Sequence, residues 1–177
     1  MSLPSRQDSI VLLDRYIKNP ALIRHCQMVA DALEAYAQTL GEDVDLWWST
    51  GLLHDLDWEA FPDEHPNKAL AQLLDDYPDE LKQAVAAHAP ERTGKHAESL
   101  LDKYLFACDE LSGFLNAVSL MRPTKFEGLE VKSVKKKLKD KSFAANVSRT
   151  DIEQGFALIG KTPEEHIGFL IEVFQKS

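Results

Sequence analysis

Five residues sit where the apolar pattern of the chain leaves little room for an unpartnered polar group: His25, the adjacent His54 and Asp55, His88, and Asp109. His25 shares a helical face with Leu22 and Val29, and His54-Asp55 interrupts the run Leu52, Leu53, Leu56. His88 follows Leu81 and Val85 at helical spacing, and Asp109 continues the stripe of Leu101 and Leu105. A buried carboxylate without a partner is costly, so two of them on core-facing stripes must meet cations, donors or a metal. Imidazole nitrogens and carboxylate oxygens brought from separate helices are the donors with which helical bundles hold divalent transition metals. Neighbours on a regular helix point about 100° apart, so His54 and Asp55 can serve one ion only where their helix is ending.

The elements that must position these residues are helical nearly throughout, with no stretch of strict apolar/polar alternation. Asn19 can cap, Pro20 suits a first helical position and Gly41 can stop the chain in the left-handed region, which predicts a helix from Asn19 to Gly41. Its apolar face is Leu22, His25, Val29, Leu33, Tyr36, Ala37 and Leu40. A second helix covers Asp45 to His54 and gives way to a loop of acids and turn formers from Asp57 to Pro66. Short helices are expected at 67–75 and 79–88, the latter between Pro78 and Pro90, followed by a turn at Glu91–Lys95. A long helix from Ala97 to Met121 follows. The basic stretch 122–149, with Pro123 and Gly128, reads as loop plus one short helix. Two capping boxes, Thr150-x-x-Glu153 and Thr162-Pro-x-Glu165, are expected to open the last two helices. No repeat, linker or boundary interrupts this pattern. The predicted fold is all-α, a compact single-domain helical bundle over 1–177, with its chemistry in the core at about 20–120.

With 177 residues and 44% hydrophobic content the chain can bury a proper core without a staple. Twenty Lys+Arg against 29 Asp+Glu gives a net charge of −9, which argues against a general nucleic-acid binder. No apolar run approaches the roughly 20 residues that span a bilayer, so no membrane partner is expected. The first residues lack a basic stretch followed by an apolar one, and there are two cysteines, so a reducing cytoplasm is the expected compartment. Cys26 and Cys108 adjoin candidate ligands but are rotated away from them, and read as small packing residues. His96 and His166 match no pattern and read as solvated.

In order and spacing, His25, His54-Asp55 and Asp109 resemble the HD superfamily of metal-dependent phosphohydrolases, named for that dyad. Gly51 to Asp55 closing one helix and Ala107 to Leu111 within a later one support the likeness, which covers about residues 20–120. Superfamily members with two metals carry two further histidines between the dyad and the last Asp, and His65 and His88 occupy those places. The resemblance therefore implies that His25, His54, Asp55 and Asp109 hold one divalent ion, and that Asp55 bridges to a second held by His65 and His88. His54 and Asp55 would lie at the catalytic centre. Such N/O sites suit Mn, Fe, Co, Ni or Zn, with Mg also admissible. The implied reaction is hydrolysis of a phosphate ester or anhydride of a small molecule, nucleotides being the leading class, by water activated on the ions. Two divalent ions would outweigh Asp55 and Asp109 and make the centre cationic, which suits a phosphate group.

Substrate contacts are less constrained. Lys132, Lys135, Lys136, Lys137, Lys139 and Lys141 form a basic run set against Glu130 and Asp140, either a solvated helix face or a source of phosphate contacts. Lys136, with Arg122 and Lys125, is a candidate of the second kind, and Arg92 in the turn after His88 is a further one. Many HD proteins follow the dyad with Gly and a phosphate-binding Lys, whereas this chain has Leu56-Asp57-Trp58. Asp57 is therefore expected at the substrate, as an acceptor orienting a ligand His or a water, or as an incidental helix-end acid. Trp58 and Phe61 could supply an apolar or stacking wall. Two rival readings use the same ligand set: an HD-type diiron oxygenase, and a non-catalytic signalling or binding module that keeps a metal for stability.

Overall fold

Side-chain caps open most of the helices in the computed structural model, which describes residues 2–177. Ser5 and Asp8 form a capping box around the first turn of α1 (Arg6–Tyr16), a helix that apolar periodicity alone does not mark. Arg6 then bonds to Glu34 at 2.8 Å and Asp45 at 2.7 Å, fastening α1 to the two helices that follow. Asn19 accepts from the Ala21 amide to start α2 (Pro20–Leu40), and Gly41, at φ 75°, ends it. Asp43 caps α3 (Val44–Leu53) through the Leu46 amide. With only residues 41–43 between them, α2 and α3 fold back on each other as a hairpin.

Three expected boundaries shift, each for a visible reason. The helix expected at 67–75 is a single π-helical turn, Ala69–Leu73, whose first amide donates to the buried Asp57 carboxylate at 2.7 Å. After α4 (Asp79–Ala87) and the one-turn α5 (Pro90–Thr93), the long helix α6 runs Leu100–Leu120 rather than from Ala97. Asp102 accepts from the Glu98 and Ser99 amides, which sets Ser99 as its cap. Between α7 (Val131–Lys139) and α9 (Pro163–Lys176), α8 (Arg149–Ile159) starts at Ser148 and not with a Thr150 box. The Ser148 amide donates to Glu110 on α6, and its hydroxyl accepts from the Asp151 amide. The Thr162 box does open α9.

The core lies between α2 and α6, with Met28, Leu33, Tyr36, Leu105, Phe114 and Leu115 fully or almost fully removed from solvent. Helices α3, α4, α8 and α9 pack around this pair. Described residues form no strand, and no helix is long and apolar enough to cross a membrane. Cys26 and Cys108 are buried and unpaired.

His166, expected at the surface, is fully buried. Its Nε2 donates to the Ala107 carbonyl at 2.9 Å and its Nδ1 accepts from the Tyr36 hydroxyl at 2.6 Å, joining α9 to α6 and α2. It lies one helical turn before Leu170 on the buried stripe of α9, so the burial signal was present in the apolar spacing. His96 is exposed, as expected.

Candidate metal centre

The depth at which α2 and α3 meet is set at Gly51, where an added Cβ would lie 2.7 Å from the Ala30 Cα and N. Beyond that contact the hairpin delivers two candidate ligands, His25 from α2 and His54 from the C-cap of α3, with Asp55 next in the chain. The C-cap of α4 supplies His88, the middle of α6 supplies Asp109, and His65 comes from the loop between.

These residues meet as two donor sets sharing Asp55. In the first, His25 Nε2 lies 3.0 Å from Asp109 Oδ1, 3.2 Å from His54 Nε2 and 3.6 Å from Asp55 Oδ2. His54 Nε2 lies 3.3 Å from Asp55 Oδ2 and 3.4 Å from Asp109 Oδ1. In the second, the other oxygen of Asp55, Oδ1, lies 3.5 Å from His65 Nε2 and 3.6 Å from His88 Nε2, which are 3.2 Å apart. Ligands held about 2.1 Å from one ion at tetrahedral or octahedral angles stand about 3.0–3.4 Å apart, so both sets are close to ligating dimensions.

Proton placement completes the test of fit. His54 Nδ1 donates to the Gly51 carbonyl at 2.7 Å, His88 Nδ1 to the Val85 carbonyl at 2.5 Å, and His65 Nδ1 to Asp57 Oδ1 at 2.7 Å. In the neutral rings each Nε2 is then a bare lone pair, aimed at other acceptors. Such convergence is repulsive unless a cation or extra protons stand between. Burial alone would disfavour a charged His54, but the Asp55 and Asp109 carboxylates raise its pKa well above the usual range. Burial likewise works against both carboxylates, yet the cationic form of His54, with hydrogen bonds from neighbouring histidines, holds each well below its usual value. The two donor sets fit a divalent ion by donor type, number and spacing.

The donors open into a cleft of about 350 Å³, whose lining includes Trp58, Arg92, Phe106, Glu110, Gly113, Asn146 and Asp151. Arg92 borders this cleft, and its Nη1 donates to the Pro62 and His65 carbonyls at 2.8 and 3.0 Å. Its guanidinium lies 5.5 Å from the Trp58 ring centre. The other proposed substrate contacts fall elsewhere. Asp57 is fully buried, with one oxygen on His65 and the other on the Ala69 amide, so it orients a ligand and cannot face a substrate. Arg122 closes its own loop through the Lys125 and Glu127 carbonyls, and Lys125 is an exposed residue of that loop at φ 53°. Lys136 lines a separate groove with Arg122 and Lys137. Phe61 is outside the cleft lining and stacks under Lys68.

Glu110, Asn146 and Asp151 are cleft residues that periodicity did not single out. Asn146 and Asp151 arrive only because α8 packs on α6, where a Cβ on Gly155 would lie 2.8 Å from the Ala107 Cα. Burial, then the neighbouring Asp109, raises the Glu110 carboxyl to about 7.

No curated protein and no solved structure matches the chain. Comparison with protein families matches the HD domain over residues 22–113, just over half of the chain and a span that includes all six donors. With an all-helical fold and a His/Asp cluster at the positions that define the motif, the chain belongs to the HD domain family.

Proposed function

We propose that the protein is a metal-dependent phosphohydrolase that cleaves a phosphate ester or anhydride of a small molecule at a pair of divalent ions. The observation that carries this reading is the Asp55 carboxylate, which offers Oδ2 to His25 and His54 and Oδ1 to His65 and His88. Ions bound there would supply Lewis acidity toward phosphoryl oxygens and lower the pKa of an attacking water.

The chain's own residues do the rest. His25, His54 and Asp109 fix one donor set in the helical core, while Asp57 holds the His65 ring in the tautomer that presents Nε2. Trp58 packs edge-on against His65, 4.9 Å between ring centres, and shields that side of the second donor set from water. Arg92 ties the loop bearing His65 to the segment after α4, which keeps His65 and His88 in register.

The test is a panel of phosphomonoesters, dinucleoside polyphosphates and cyclic nucleotides, assayed with Mn, Co, Ni, Fe and Mg. Changing groups that merely support ligands typically costs 10–100-fold, so His54→Ala and Asp109→Ala should lose at least about 100-fold in phosphate release. Equal residual activity in wild type and both variants would remove the hydrolase reading. Tightly held mixed-valence iron with no ester turnover would favour the oxygenase.

A further inference from the structure

We propose that the substrate of this centre is a small phosphomonoester whose alcohol part carries hydroxyl or amino donors, and that nucleoside di- and triphosphates are excluded. The proposal rests on the hydrolase reading and specifies its substrate.

The first observation is the chemistry of the cleft beyond the metal donors. Its remaining ionisable lining is three carboxyl groups, Glu91, Glu110 and Asp151, against one cation, Arg92. Glu110 Oε2 accepts from the Ser148 amide at 3.0 Å. Among the described residues, no hydrogen bond reaches Glu110 Oε1, the Asp151 carboxylate or the Asn146 side chain. The wall thus carries unused acceptors, and its side-chain donors are Arg92 and the Asn146 amide. A polyphosphate tail needs several cationic side chains along its length, and this wall offers only Arg92, whose Nη1 already donates to the Pro62 and His65 carbonyls. The lysines of α7 do not repair the deficit, because Lys136 and Lys137 face another groove. A single phosphoryl group could instead sit against ions held by these donors, while a hydroxyl- or amine-bearing remainder donates to Glu110, Asn146 and Asp151.

The second observation is the floor. Glycine within a helix is a conformational liability that usually has a packing reason. Gly51 and Gly155 have one, since a Cβ would strike backbone at 2.7 and 2.8 Å. Gly113, in the interior of α6, does not: a Cβ would meet only His25 Nδ1, at 3.9 Å. What Gly113 preserves is open space beside His25 in the cleft. The cleft's volume, about 350 Å³, also stands at the small end of ligand sites, which run to about 1,000 Å³.

The test uses Mn-loaded protein and calorimetric affinities for non-hydrolysable phosphonate counterparts of aminoethyl phosphate, glycerol phosphate, propyl phosphate and ATP. The donor-bearing pair should bind at least about tenfold more tightly than the propyl and ATP analogues, the ratio expected for hydrogen bonds to charged acceptors. Asp151→Asn should shrink that preference about tenfold. Gly113→Ala, which favours the helix and so preserves the fold, should weaken the donor-bearing pair while raising Tm. Equal affinity for propyl and donor-bearing analogues, tightest binding of the ATP analogue, or an unchanged preference in Asp151→Asn would each overturn the proposal. Phosphate release from the parent esters is read separately. The expected affinities without release of phosphate from any ester would overturn the hydrolase reading and leave only the ligand preference standing, whereas release with ATP preferred would overturn the substrate proposal and leave the hydrolase reading standing.

Discussion

Asp57 has both carboxylate oxygens engaged, one by His65 and one by the Ala69 amide. Asparagine at this position cannot accept at both places, so either the His65 ring or the turn at Ala69 loses its anchor. Affinity for an ion at the Asp55–His65–His88 set should fall by about 10–100-fold in Asp57→Asn, with the other set unaffected. A stepwise metal titration of the variant separates the two, and unchanged affinity at both sets would end this role for Asp57. The departure from the usual Gly-Lys was visible in the residue string, and an orienting acceptor was one of three readings it left open. What the string could not show is that residues 65–69 fold back over Asp57 and leave it without solvent. His25, His54, Asp55, His88 and Asp109 were legible because polar groups on apolar stripes break a local period. Arg122, Lys125 and Lys136 were misplaced because charge says only that a side chain wants water or a counter-charge, and each finds them away from the cleft.

Helix α2 was legible to within a residue because its signals, Asn19-Pro20 and Gly41, act on their own neighbours. The start of α8 was not. Ser148 and Thr150 each precede an acid by three residues, and the choice between them depends on Glu110, which accepts from the Ser148 amide across a tertiary contact. Close helix approach is likewise invisible in periodicity, yet it positions the ligands. A methyl group at Gly51 would collide with the α2 backbone at Ala30 and push α3 outward. Gly51→Ala should therefore cost about 1–3 kcal/mol in thermal or denaturant unfolding. It should also lower bound metal per chain, since His25 and His54 ride on the two helices forced apart. A variant with unaltered stability and metal content would show that the hairpin's spacing is set elsewhere.

Across the whole molecule, His166 binds three helices together and carries a pH dependence with a definite sign. Burial lowers its pKa from 6.5 to about 4, so the folded protein keeps it neutral while the unfolded chain protonates it. Its contribution is complete above pH 6.5, is lost as the pH falls toward 4, and levels off below that. The full loss is about 3 kcal/mol. His166→Gln should have a shallower stability-versus-pH slope than wild type over this window in denaturant titrations, and parallel slopes would refute the assignment. Connectivity gives the donor sets a second meaning. An ion in the first set would join His25 to Asp109 across 84 residues, and one in the second would join His65 to His88 across 23. Each ion would act as a removable cross-link, and the longer closure restricts the unfolded chain more, by about 1 kcal/mol on loop length alone. A loaded cleft would therefore also be a buckle, and emptying it would loosen the tie between α2 and α6 around which the other helices pack.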